Sequence, residues 1–198
     1  MANSISHGLG LVAAIATIPV FIRYSMENRD FLFNMGLIVF SITLIILYFA
    51  SSIYHLLPVG KPKKFFQSLD HIAIFLLIAG TYTPFALGIL RGPWGWTLFG
   101  LIWLLAFIGI FLELFGKLGS GKVSNSLYLA MGWSAILVIK PMIMSIPAAG
   151  LTLILAGGIF YSLGIYFYAH ERRYYHFIWH IFVVFGSISH FTAIFLYA

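Results

Sequence analysis

The sequence predicts an all-α membrane protein, a seven-transmembrane helix bundle in a single domain over residues 1–198. Hydrophobic residues make up 62% of the chain and charged ones only 8%, where a soluble domain carries about a quarter. Mean hydropathy is +1.02. Apolar runs near the ~20 residues that a bilayer demands recur seven times, with short polar breaks between them. The runs are continuous, without the alternation over roughly ten-residue segments that a transmembrane barrel needs. The absence of Cys excludes disulfides and thiolate metal ligands. The formal charge of +6 resides in the breaks, which points to anionic lipid headgroups and away from nucleic acid. No basic stretch precedes the first run, so no cleavable signal peptide is expected. The expected location is the cell membrane, with multiple passes.

The first span is read from Ser4 to Ile22, with Pro19 near its far end, and the second from Phe31 to Leu57, long enough to tilt. Lys61-Pro-Lys-Lys64 reads as a basic loop before a third span from Asp70 to Leu90, which Pro84 should kink. Pro93 opens the fourth, which ends near Phe115. Residues 117–122 form a turn, and the fifth span follows from Val123 to Ile146, with Lys140 and Pro141 in its end region. The sixth covers Ala148 to Ala169. After residues 170–173 the seventh runs from His176 to Tyr197. No internal repeat of the transporter kind is visible.

Basic residues set the orientation. With the N-terminus cytoplasmic, the inner breaks hold Lys61, Lys63, Lys64, Lys117, Lys122, Arg172 and Arg173, and the outer ones Arg23, Arg29, Arg91 and Lys140. That majority favours N-terminus in and C-terminus out. His7, Ser51, His55, Asp70, His71, His176 and His180 then all fall at the cytoplasmic rim, although they come from four stretches of sequence. Ionisable groups in membrane spans are costly and face the bundle or a wet cavity, so this common depth is informative.

His176 and His180 lie one helical turn apart and address one point. Joined by His55 they supply three imidazoles, which with a water make an open tetrahedral zinc site. Such a site acidifies its water, and Asp70 is the carboxylate placed to take that proton. Ser51 lies one turn from His55 and can orient a reacting group. Each has a bland alternative: the pair as polar interfacial residues, Ser51 as a helix-packing serine. His7 reads as a membrane-interface side chain with a lesser claim to a supporting role. His71 points ~100° away from Asp70 and is taken as structural. His190 lies about 21 Å along the axis from His176, too far to share an ion, and is expected to be buried and hydrogen-bonded. Glu113 and Lys117 read as an i, i+4 pair. The aromatic residues are expected mostly on the lipid face and in interfacial belts.

Ser51-Ser-Ile-Tyr-His55, the stretch Leu69-Asp-His-Ile through Thr-Tyr-Thr-Pro84, and His176-Phe-Ile-Trp-His180 together resemble the bacterial haemolysin III proteins. These belong with the progestin and adipoQ receptors and are distantly similar to alkaline ceramidases. The resemblance covers essentially the whole chain, and Asn3-x3-His7 matches the family's N-terminal motif. It implies a seven-helix bundle with zinc near the cytoplasmic face. By position it implies His55, His176 and His180 as zinc ligands, Asp70 on the zinc water and Ser51 nearby. The acidic residue usual just before the Asn3 motif is missing here.

The first functional expectation is a zinc-dependent hydrolase of a lipid amide or ester, with Asp70 as general base, Ser51 on a reacting oxygen, and a membrane lipid or fatty-acyl ligand in the bundle. The alternatives are a non-catalytic sensor or receptor with structural zinc, and a pore-forming cytolysin, for which no span offers a charged stripe. A retinal protein needs a lysine in the last span, which has none; a haem site at the rim histidines would show a Soret band.

Overall fold

The computed structural model describes residues 2–27, 30–116, 118, 121–170 and 172–198. Arg29, Lys117 and Glu171, used above in the charge count and the polar breaks, lie outside the described residues. The described residues form eight α-helices and one 3-10 segment: α1 (Ala2–Glu27), α2 (Phe31–Leu56), α3 (Lys61–Leu87), α4 (Pro93–Leu114), α5 (Gly121–Gly132), the 3-10 segment (Trp133–Val138), α6 (Ile139–Ser145), α7 (Ala148–Tyr168) and α8 (Tyr175–Tyr197). The run from Gly121 to Ser145 counts as one span, so among the described residues seven spans are long and apolar enough to cross a membrane. No strand occurs among the described residues. This is a multi-pass membrane protein.

Two departures from the sequence reading matter. The third span does not begin at Asp70. Pro62 suits a helix start, where its missing N–H is no loss, and α3 begins at Lys61. Residues 61–64 are therefore the first turn of a helix, and Asp70 lies about 14 Å inside it at 1.5 Å per residue. Lys63 uses that turn to donate from Nζ to the carbonyls of Tyr54 and Leu57, both at 3.0 Å. It thereby satisfies orphan carbonyls at the C-terminus of α2, the turn that carries His55.

The fifth span is also not one regular helix. Tyr82 on α3 pushes its hydroxyl into the ladder, donating to Gly132 O at 2.6 Å and accepting from Ala135 N at 3.0 Å. A side chain that takes over both partners forces the backbone off the α-helical pattern, and the 3-10 segment starts there.

Lipid tails are as apolar as leucine, so close backbone approach and polar contacts drive helices together. Gly36 on α2 shows this: a Cβ there would come within 2.7 Å of the Pro84 main chain on α3. Gly157 on α7 likewise makes room for the His190 ring on α8. The principal backbone neighbours are α1 with α2, α2 with α3, α3 with α4, and α7 with α8, while α8 also lies against α1 and, more lightly, α3. Between α2 and α8 side chains make the link: Tyr48 donates to Ser187 Oγ at 2.9 Å, and two histidines meet as described below.

At the opposite end, Asp30 caps α2 by accepting from Phe33 N at 3.1 Å and pairs with Arg91. The Arg91 guanidinium, aided by that amide, holds the Asp30 carboxyl below the usual carboxylate range. Aromatic residues are divided: Phe31, Trp94, Trp96 and Phe107 are exposed, whereas Phe33, Phe40, Phe75, Tyr128 and Trp179 are core.

Candidate metal centre

His55 comes from the last turn of α2, and His176 and His180 from the first two turns of α8. Tyr174, in the left-handed region at φ 67°, turns the chain into α8 just before His176. The i, i+4 spacing then points both α8 imidazoles at the end of α2. His176 Nε2 lies 3.1 Å from His55 Nε2, and one nitrogen from each of the three histidines falls within 4.8 Å of the others. These three residues could hold a metal ion.

The donor set fits such an ion. Bonds of ~2.05 Å at tetrahedral angles require nitrogen separations of roughly 3.3 Å. The His55–His176 pair is near that already, and a shift of roughly 1.5 Å by a third nitrogen closes the set. Three neutral imidazoles suit a first-row divalent ion such as zinc and leave a coordination position open.

His180 is almost fully buried, and its Nδ1 lies 3.1 Å from Asn3 O and 3.1 Å from Ser6 Oγ. His7 is buried too, so it is no interfacial side chain. Its ring stacks on His180 with centroids 3.6 Å apart and planes 15° from parallel, while Tyr48 meets its edge at 5.1 Å. Sequence reasoning missed Ser6, named Asn3 only as part of the family motif and undervalued His7. The signal was available, because positions 3, 6 and 7 share one helical face.

Ser51 and Asp70, both cavity-lining, interact with each other. Beside them His71 lines the same cavity as Asp70, against the reading that the two cannot face one site, and its Nδ1 contacts Glu113 Oε1 at 3.0 Å, with Nε2 3.4 Å from Tyr168 Oη. Glu113 thus has a partner across helices; the expected i, i+4 pair with Lys117 lies outside the described residues. His190 is hydrogen-bonded as expected, with Nε2 donating to Ile154 O at 3.1 Å.

Several of these polar groups lie at one end of a cavity of about 440 Å³. His7, Ser51, Asp70, His71 and His176 line that end; Ile78, Phe85, Leu98, Met142 and Leu151 line the rest. Along α3 alone, from Asp70 to Phe85, its wall extends for about 22 Å. It is an apolar tunnel with a histidine and carboxylate head.

Comparison with known proteins follows the same lines. The family model described as "Haemolysin-III related" matches residues 1–191. Hemolysin-3 of Bacillus cereus is 40% identical over 198 residues, covering 100% of this chain and 90% of the relative. A Hemolysin-3 homolog of Bacillus subtilis (strain 168) is 36% identical over 198 residues, covering 100% and 93%. Monocyte to macrophage differentiation factor of Homo sapiens is 28% identical over 211 aligned positions, covering 99% and 83%. No solved structure matches.

Proposed function

The chain belongs to the haemolysin-III related family, and from that premise we propose that it is a zinc-dependent hydrolase of a membrane-lipid amide or ester, working at the cytoplasmic side. One observation carries the proposal: His176, Asp70 and Ser51 line the polar end of a largely apolar cavity, and His55 and His180 each place a ring nitrogen within 4.8 Å of one of His176's. Such a shape takes a long acyl chain and presents its carbonyl to the polar groups. Each buried methylene contributes about 0.8 kcal/mol to holding the chain.

His55, His176 and His180 would hold the ion. Zinc bound there supplies Lewis-acid polarisation of the carbonyl and a water nucleophile available near neutral pH. Asp70 takes the proton of the attacking water as its oxygen bonds to the acyl carbon, and passes it to the departing amine or alcohol as the acyl bond breaks. Ser51 steadies that carboxyl and lies within reach of a reacting oxygen. The tunnel wall keeps bulk water from the acyl chain. What supports the cytoplasmic assignment is charge: the basic residues of α3's first turn and of the stretch before α8 lie at the site's end of the sequence spans, the pattern that favours N-terminus in and C-terminus out.

The test is metal analysis of purified protein together with release of fatty acid from lipid amides and esters. Zinc at one ion per chain with His55- and Asp70-dependent release supports the proposal. Zinc without release from any membrane-lipid fraction overturns the enzyme reading and leaves a receptor or sensor in which the ion is structural. The side-chain-only link between α2 and α8 favours that second reading. Two relatives carry "Hemolysin" in their names, so a cytolysin reading is tested by bilayer conductance that survives His55→Ala.

A further inference from the structure

We propose that the first turn of α1 is the positioning element of the metal centre: the Asn3 carbonyl and the Ser6 hydroxyl fix the tautomer of His180, and the docking of this turn is thermodynamically linked to metal binding. The inference rests on the metal-binding part of the proposed function and needs no hydrolysis.

The three polar atoms form a closed triangle. Ser6 Oγ lies 2.9 Å from Asn3 O, His180 Nδ1 lies 3.1 Å from Ser6 Oγ, and His180 Nδ1 lies 3.1 Å from Asn3 O. A carbonyl oxygen only accepts. Ser6 must therefore donate to Asn3, and His180 must carry its proton on Nδ1 to donate toward the same carbonyl. The Ser6 lone pair is then turned to meet that N–H as well. One proton arrangement satisfies all three contacts, and it leaves Nε2 as the lone-pair nitrogen of His180.

Ligating imidazoles generally donate their other nitrogen to an outer partner that fixes tautomer and ring direction. For His180 that partner is on another helix, some 174 residues away in sequence. His7 adds a mechanical constraint. Its ring lies flat on His180 at 3.6 Å and meets Tyr48 in a T-shaped contact at 5.1 Å, so His180 cannot swing about χ2 without pushing α1 aside. The role of His7 is that of a flat wall, and an aromatic hydrocarbon ring fills it.

Linkage follows. If docking the turn raises metal affinity by some factor, metal raises the docking constant by the same factor. The ion would thus hold down the start of α1 as well as bridging α2 and α8.

The experiment uses the full chain in detergent and zinc, with a competing chelator for affinity and amide hydrogen exchange for docking. Ser6→Ala is expected to bind zinc about 10-fold more weakly, the lower end for loss of an outer partner. Ser6→Thr restores the hydroxyl and should return to near wild-type affinity. His7→Phe should keep near wild-type affinity, and His7→Ala should lose it. In the unaltered protein, zinc should slow exchange at the amides of residues 6–10. Ser6→Ala binding as tightly as wild type, Ser6→Thr as weak as Ser6→Ala, or His7→Phe as weak as His7→Ala each overturns the inference while the metal reading stands. Exchange at residues 6–10 indifferent to zinc overturns it without relying on any variant. Wild-type protein that binds no zinc removes the metal reading itself, and this inference with it.

Discussion

Stripping the metal should loosen the bundle measurably, because α2 and α8 meet through side chains and not through packed backbones. The perturbation is dialysis of purified protein against a chelator, then return of one equivalent of zinc in excess over its dissociation constant. The bridging pair is His55 and His176, whose Nε2 atoms stand 3.1 Å apart; without an ion, two nitrogens share one proton across that gap. With free zinc at about 100 times the dissociation constant, the folded state gains about 2.7 kcal/mol by mass action. For a chain of this length, each kcal/mol moves the melting temperature by about 2–4 °C, so reloading should raise it by about 5–11 °C. Thermal melting in detergent, followed by intrinsic fluorescence or by light scattering, reads the shift. His55→Ala should melt near the stripped protein and ignore added zinc. If stripped and loaded wild type melt together while elemental analysis finds bound zinc, the ion does not bridge these helices and the reasoning fails.

Further outcomes follow from the same geometry. Asp70→Asn should retain zinc and lose about 10²–10⁴ of any lipid hydrolysis, as removal of a general base does; parallel metal analysis and turnover separate the two effects. Zinc affinity should fall on acidification, because ligating imidazoles must be neutral and protons compete for up to three of them; a chelator competition repeated at several pH values measures this. Gly157→Ala places a methyl against the His190 ring, and overpacking of this kind costs about 1–3 kcal/mol. A lowered melting temperature with unchanged metal stoichiometry would bear that out. At the far end, Arg91→Ala should cost at most about 1 kcal/mol, since the pair is exposed. Asp30 has its pKa lowered by Arg91, so its contribution is complete above the ordinary carboxylate value of ~3.9 and disappears as pH falls through the lower folded value. The difference between wild type and variant should accordingly be flat from pH 7 to 5 and vanish in strong acid.

What the sequence discloses and what it hides have separable physical causes. Span number and helical class are written in hydropathy, because a bilayer demands long apolar runs whatever their neighbours are. The approach of His176 and His180 is written in a spacing of four, since helical periodicity alone puts them on one face. Helix ends are not so written. Lys61, Lys63 and Lys64 look like a loop to any hydropathy window, yet Pro62 can start a helix and Lys63 gains two carbonyl partners by being on one. That is how Asp70 comes to lie in the interior of α3 and not at its start. The interruption at Trp133–Val138 is likewise invisible locally, because its cause is the hydroxyl of Tyr82 on another helix.

His7, Glu113 and Ser6 carry the same lesson into the site. Along its own helix each says little: His7 reads as interfacial, Glu113 as half of an i, i+4 pair with Lys117, which lies outside the described residues, and Ser6 has no reading of its own. Each finds its partner on a different helix: His180 for Ser6 and His7, and His71 for Glu113. Intrahelical spacing cannot register such pairs, and in a membrane they matter more than local ones because burial against lipid offers helices little reason to choose one neighbour over another. The clustered histidines are therefore legible from type and period, whereas the groups they meet on other helices are not. A sequence search for the latter should ask which other spans carry unexplained polar residues at the depth of the ligands. By that criterion Asn3, Ser6 and His7, stacked on one face of α1 at the histidine-bearing end, are the residues to take up first.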